Sequence, residues 1–242
     1  MINSTGNKNI PVGTKKNHDL RVELTGDGST TLYVPSLDEH YHSTFGAIRE
    51  ARHIFIGAGL SEIGKMIRQP SVLEVGMGTG LNAWLTVLAA MESRLSVSYV
   101  AVEPNPLGQE IITALNYPGM VHHPSGTELF HAIHRAGGDR WTEISEEFRL
   151  YRFNHSLEEL EEGKFSFDLV YFDAFGPDVQ PGIWSPENFL KIFRMMNPGG
   201  ILVTYSTKGV IRRALKAAGF TVEKLPGPPG KREMLRAVRQ AA

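Results

Sequence analysis

The chain has 242 residues, with 25 basic against 26 acidic side chains, nine histidines, no cysteine and a formal net charge of −1. That length suits one α/β domain of ordinary size with a few additional elements. The absence of cysteine excludes disulfides, thiolate zinc sites and a cysteine nucleophile. No apolar run approaches the roughly 18 residues of a membrane span. Residues 1–18 are polar, contain Pro11 and Gly13, and lack the apolar core of a signal peptide, so a flexible, cytoplasmic tail is expected.

Beyond this tail the elements follow in order. Leu20 to Leu24 and Thr31 to Val34 read as strands paired across the Gly26-Asp-Gly28 turn. Gly46 to Phe55 has helical spacing, with Ile48, Ala51 and Phe55 on one side. An α/β alternation then begins: strand Val72 to Val75, helix Leu81 to Met91, strand Val97 to Val102 and helix Leu107 to Leu115. Residues 117–147 interrupt it as an insertion with one helical piece near Leu129 to Ile133. It resumes with strands Phe148 to Phe153 and Phe167 to Phe172, a long loop from Ala174 to Trp184, and helix Pro186 to Met196. Pro198-Gly-Gly200 reads as a turn before strand Ile201 to Tyr205, and Val210 to Ala218 as a helix stopped by Gly219. Phe220 to Leu225 and Glu233 to Val238 form a closing pair. The order predicts a mainly parallel, doubly wound α/β sheet within a single domain over 19–242, with a C-terminal antiparallel hairpin and a small N-terminal extension at 19–70.

The run Ser71-Val-Leu-Glu-Val-Gly-Met-Gly-Thr-Gly-Leu-Asn82 carries the first chemical signal. Glycines at 76, 78 and 80 let the backbone pass close under a ligand, and the helix start behind them offers free N–H groups. A pyrophosphate-binding turn has G-x-G-x-x-G spacing. Here the pattern is E-x-G-x-G-x-G, and the acid Glu74 suits a cationic nucleoside such as S-adenosylmethionine better than a pyrophosphate. Ligands of such sheets lie outside the carboxyl ends of the strands. Glu103 falls there, about 20 residues past the turn, the spacing of an acid that reads ribose hydroxyls. Asp173, delivered by an apolar strand, is the catalytic candidate. Phe175, Pro177, Pro181 and Trp184 are placed to shape a pocket for a flat base, or to cover the sheet as core.

Charge is segregated. From Lys208 onward nine basic residues face two acids, a local +7 that leaves −8 for the remainder. Such asymmetry suits a polyanion partner, with Arg212, Arg213 and Lys216 as a phosphate-gripping helix face joined by Lys231 and Arg232. His122, His123, His131 and His134 complete no recognisable metal ligand set, so no metal is expected.

Several further pieces carry a family resemblance: Glu39-His-Tyr-His-Ser43, Arg49-Glu-Ala-Arg52, Gly76-Met-Gly-Thr-Gly-Leu-Asn82, Phe172-Asp-Ala-Phe175 with Pro177, Pro181 and Trp184, Pro198-Gly-Gly200, Arg212-Arg213 and Gly230-Lys-Arg-Glu-Met-Leu235. In that order, from about Leu32 to Val238, they resemble the methyltransferase domain of the bifunctional tRNA wobble-uridine enzymes of the MnmC type and their stand-alone, MnmD-like relatives. The resemblance implies a seven-stranded, Rossmann-like class I methyltransferase fold. It implies methyl transfer from S-adenosylmethionine to the amine of 5-aminomethyl-(2-thio)uridine in the anticodon region of tRNA, with no FAD oxidase step. A separate oxidoreductase would then act upstream. The cofactor residues so implied are Tyr41, Glu74, Gly76, Gly78, Thr79, Gly80, Asn82, Glu103 and Asp173. The tRNA-side residues are Phe175, Trp184, Lys208, Arg212, Arg213, Lys231 and Arg232. The chain departs from the family pattern in three places. His155-Ser156 replaces the usual Gly-Asp, so Asn154 or Ser156 is expected to read adenine; Asp178-Val179 replaces a small residue and lysine; and Lys208 stands where a small residue is common.

Two other readings share the fold. A spermidine-synthase-like aminopropyltransferase uses the same acids but has no need of a basic end. A non-catalytic tRNA-binding protein would keep the surface and lose the chemistry. An NAD-dependent dehydrogenase ranks last on glycine spacing.

Overall fold

A computed structural model describes residues 20–240, so the expected tail lies outside the described residues. Strands β1 (Arg21–Leu24), β2 (Thr30–Val34) and β3 (Glu39–His40) form a small antiparallel sheet. Its hairpin register, Arg21 opposite Tyr33, follows from the Gly26 to Gly28 turn. A helical rod over 47–63, here α1, comes next, and its central stretch, Arg52–Leu60, is π-wound. Gly59 lets this rod lie directly on the main sheet: a Cβ there would stand 3.1–3.3 Å from Tyr171, Leu169 and Val203.

The main sheet is built from β4 (Ser71–Val75), β5 (Val97–Val102), β6 (Trp141–Ser145), β7 (Phe148–Phe153), β8 (Phe167–Phe172), β9 (Met196–Thr204), β10 (Thr221–Pro226) and β11 (Glu233–Val238). Their spatial order is β10-β11-β9-β8-β4-β5-β7-β6. The inner five strands are parallel, and β6, β11 and β10 run antiparallel to their neighbours. Helices α2 (Leu81–Ser93), α3 (Gln109–Ala114) and α4 (Gly126–Arg135) belong to one layer with α1; α5 (Pro186–Met195) and α6 (Gly209–Ala217) belong to the other. The period-2 pleat sorts β4 accordingly, with Val72 in the first core and Leu73 and Val75 in the second. The chain leaves β4 in one direction through β5 and β7, then returns to its other side through β8 and β9. The topological switch point therefore falls between β4 and β8, where open α/β sheets bind ligands.

The expected doubly wound sheet and closing hairpin are present, but the sheet has eight strands rather than seven. The added one, β6, lies within the stretch read as an insertion. All five of its residues are half-buried or exposed, so this edge strand lacks the apolar run that marks a central one. Arg149 lies over the Trp141 ring at 4.5 Å and covers it. Pro198-Gly-Gly200 also departs from expectation. It is an irregular start of β9, fixed by the Asn197 amide donating to Asp168 Oδ1 at 2.7 Å and by Gly200 O accepting from Arg239 N at 3.0 Å.

Trp184 is corrected from the substrate side to the core. It is 4% exposed, its Nε1 donates to Phe175 O at 2.6 Å, and its ring lies 4.6 Å from that of Phe172. Trp184→Ala is expected to cost about 3–5 kcal/mol in urea denaturation, the range for truncating a buried aromatic; a loss under about 1 kcal/mol would contradict this placement.

Candidate active site

Four parallel strands end together at one edge of the sheet, and each delivers a candidate residue there. The glycine turn follows β4, Glu103 follows β5, Asn154 follows β7 and Asp173 follows β8. The turn needs its glycines: residues 76, 78 and 80 have φ of +89°, +48° and +72°. Gly76 also lies against the next strand, where a Cβ would stand 2.7 Å from Asp173 O.

Asn82, in the first turn of α2, joins the two central acids. Its Nδ2 donates to Glu74 Oε1 at 2.9 Å and to Asp173 Oδ2 at 2.8 Å. Glu74 is fully buried, so it underlies the turn rather than opening onto a ligand as its sequence position suggested. Burial holds its pKa well above the usual carboxylate range; the Asn82 bond opposes this rise and the Asp173 charge adds to it. Asp173 is raised likewise, first by burial and then by the charge of Glu50, against Asn82 and Lys231.

Glu103 is placed to hold the turn itself. Its Oε2 accepts from Gly78 N and its Oε1 from Asn105 N, each at 2.9 Å. Burial raises its pKa in spite of these bonds and of the nearby Arg152 charge. Tyr41 covers the turn from the other side, with Cδ1 2.9 Å from where a Gly78 Cβ would be and its ring edge-on to Phe175. Thr79 and Asn82 are buried; the Thr79 hydroxyl and the Asn82 Nδ2 are taken by partners, and Asn82 Oδ1 has none among the described residues. Thr79 lies between two histidines: its Oγ1 is 2.6 Å from His42 Nε2, and its carbonyl accepts from His134 Nε2 at 3.1 Å.

The two expected adenine readers separate. Ser156 is committed to a capping box with Glu159. Asn154 keeps a buried Oδ1 without a hydrogen-bond partner among the described residues, an acceptor available to an amino group. That orphaned oxygen, the glycine turn and Glu103 are a donor and acceptor set that fits an adenosyl group.

Beside Asp173 lies a cleft of about 290 Å³, walled by Tyr41, His42, Glu50, Phe175, Tyr205 and Lys231 among others. Lys231 was expected on the tRNA-binding surface. It is drawn into this wall, 2.6 Å from Glu50 Oε1. Lys208 lines the rim and pairs with Asp178, the residue that stands for the family's small residue. Of the remaining basic segment, Lys224 pairs with Glu233, Arg236 with Glu223, and Arg239 caps carbonyls of Phe193 and Arg194. Arg212, Arg213, Lys216 and Arg232 take part in no ion pair among the described residues. Sequence reasoning gave no role to Glu50, Tyr205 or His42 and weighed His134 only as a metal ligand. Glu50 and His42 had signals within Arg49-Glu-Ala-Arg52 and Glu39-His-Tyr-His-Ser43, whereas nothing in the sequence marks Tyr205 or the pairing of His42 and His134.

Burial lowers the pKa of both His42 and His134 from 6.5 to about 4. Each depressed value gives stability that is present above pH 6.5 and is lost as pH falls toward 4. His134→Gln is expected to flatten the fall in unfolding free energy over that window by up to about 1.4 kcal/mol per pH unit, one proton's worth. A wild-type slope in the variant would remove His134 from this role.

Residues 143–240 match a family described as S-adenosyl-L-methionine-dependent methyltransferase. The bifunctional protein MnmC of tRNA 5-methylaminomethyl-2-thiouridine biosynthesis from Burkholderia multivorans is 32% identical over 85% of this chain and 33% of its own length. The MnmC of Cupriavidus necator is 30% identical over 84% of this chain and 32% of its own. The chain thus spans about a third of the length of these curated relatives. A crystal structure of MnmC2 from Aquifex aeolicus superposes with a TM-score of 0.76 at 25% identity, covering 92% of this chain and 71% of that one. The chain is thus similar to the S-adenosyl-L-methionine-dependent methyltransferases over residues 143–240 and to the MnmC proteins over about a third of their length.

Proposed function

We propose that this methyltransferase acts on the exocyclic amine of 5-aminomethyluridine, or its 2-thio form, at the tRNA wobble position, giving the 5-methylaminomethyl nucleoside. The observation that carries the reading is Asp173. It stands where the glycine turn meets the cleft, held by Asn82 and kept more basic than an ordinary carboxylate. The names of the MnmC relatives supply the nucleoside, and the exposed cations supply the affinity for a polyanion.

S-adenosylmethionine supplies an electrophilic methyl group when bound. On this reading Glu103 takes the ribose hydroxyls with lone pairs its two backbone bonds leave free, and Asn154 Oδ1 accepts the adenine amino group. Tyr41 closes over the turn. A primary alkylamine has a pKa near that of Lys, about 10.4, so it enters the cleft as an ammonium. Asp173 orients it by a hydrogen bond and takes its proton, which frees the nitrogen lone pair. Phe175 and Pro177 flank the base, which must leave the anticodon stack to reach the site. Arg212, Arg213 and Arg232 hold phosphates outside. An oxidoreductase acting upstream would prepare the amine.

Asp173→Ala and Asp173→Asn should each bind S-adenosylmethionine within a few-fold of wild type and lose about 10²–10⁴ in methylation of aminomethyluridine tRNA. Wild-type turnover by both would sink the role. Arg212→Ala/Arg213→Ala should weaken tRNA binding and reduce the slope of log K against log[salt] by about one to two. An unchanged slope would place the phosphate contacts elsewhere.

A further inference from the structure

Lys231 is held more tightly than a surface lysine. Its Nζ lies 2.6 Å from Glu50 Oε1 and 4.2 Å from the centre of the Tyr205 ring. Its partners are themselves fixed. Glu50 is 8% exposed and its Oε2 accepts from Ser43 N at 3.0 Å, and the Tyr205 hydroxyl donates to Ala174 O at 2.9 Å. Both charges share the cleft with Asp173.

The groups facing Asp173 can be named element by element. Asn82 comes from α2, Glu50 from α1 and Lys231 from the loop between β10 and β11. Glu39, His40 and His42 come from β3 and the segment after it, and Tyr205 follows β9. At the rim Lys208 is matched by Asp178, and His40 lies 3.0 Å from Glu23. Burial keeps His42 uncharged near neutrality, and burial raises Tyr205 so that it stays a phenol. Lys231 is therefore the lysine set among the inner carboxylates. Without it, an entering ammonium would meet Asp173 and Glu50 alone and be held in its unreactive, protonated form. A fixed like charge beside the amine has the opposite effect.

We propose that Lys231 is a positioning residue whose fixed ammonium, countered by Glu50, keeps the acceptor amine uncharged in the cleft and so sets the pH range of methyl transfer. This rests on the amine-acceptor reading above. It also gives Gly230 a purpose: at φ +87°, with a Cβ site 2.3 Å from the Phe45 ring, only glycine lets the chain turn Lys231 inward.

The test compares wild type, K231M, E50Q and E50Q/K231M on an anticodon stem–loop RNA bearing 5-aminomethyluridine. Methylation is followed against pH, and RNA binding is followed against pH without methyl donor. In K231M the rising limb of kcat should move about one pH unit alkaline, with kcat about tenfold lower at pH 7 and KM unchanged or smaller. E50Q should move the limb toward acid. The double variant, with the same net charge as wild type and no stranded carboxylate, should return it to within a few tenths of a unit. A structural role would lower rates without this reversal. An unmoved limb in K231M, or a double variant that stays with K231M, overturns the proposal while the amine reading stands. If K231M does not fold, E50Q decides, and an unmoved or alkaline limb overturns it. If wild type neither methylates the aminomethyl RNA nor binds it better than the unmodified one, the amine reading falls and this inference falls with it.

Discussion

One amide group spans a buried acid and a half-buried one. The Nδ2 of Asn82 has two hydrogens and places one on Glu74 and one on Asp173, residues at the ends of neighbouring strands β4 and β8. Burial raises the pKa of both well above the usual carboxylate range; the charge of Asp173 adds to this at Glu74, and the charge of Glu50 adds to it at Asp173. The amide compensates part of that rise and ties the start of α2 to the switch point of the sheet. Asn82 thus contacts both acids at the switch point, and at Asp173 it opposes the rise that burial causes. A change at Asn82 acts on both at once.

The turn is fixed largely by side chains around it. Glu103 binds Gly78 N, Tyr41 covers Gly78, and His42 and His134 bracket Thr79. A Cβ on Gly80 would stand 2.8 Å from His134 Nε2, so the histidine occupies the space that the glycine leaves. Asp173 belongs to both sides of this arrangement: its backbone closes on Gly76, and its carboxylate opens on the cleft.

What the sequence reveals depends on how much of an element's environment is local. Val97–Val102 and Phe167–Phe172 were legible to the residue, because strands covered on both faces are nearly continuous apolar runs, and Phe148–Phe153 was legible from its aromatic and apolar residues around Arg149 and Arg152. Strand β6 was hidden because an edge strand lacks such a run, and its Trp141 is covered by an arginine from the next strand. The glycine turn, Glu103 and Asp173 were legible as places at strand ends. The direction of their side chains was not. Glu74 was read as a ligand-facing acid, yet the pleat of β4 turns it into the interior beneath Asn82. Ser156 and Asn154 were equivalent in sequence and differ only because a capping box consumes the serine. Trp184 had two readings with equal support, and the partner that decides between them, Phe175 O, is a backbone atom that no side-chain pattern reports.

Charge shows the same division most sharply. Summed along the chain, the last segment has an excess of seven positive charges. In space, Lys208, Lys231 and Arg236 meet acids from Asp178, Glu50 and Glu62, all outside that segment, and Arg239 binds carbonyls. A pair with its partner a few ångströms away contributes little to the field at a distance, since the two opposite charges cancel beyond a few times their separation and salt screens the remainder over about 8–10 Å. Within this last segment, the charges left to act at a distance are those of Arg212, Arg213 and Lys216 on α6, with Arg232 in the loop before β11. Lys231 and Arg232 are adjacent in sequence and have opposite fates. One is turned inward over Tyr205 by the glycine before it; the other is left in solvent. A count of basic residues treats them alike, and the fold assigns one to the acceptor cleft and one to the surface around it.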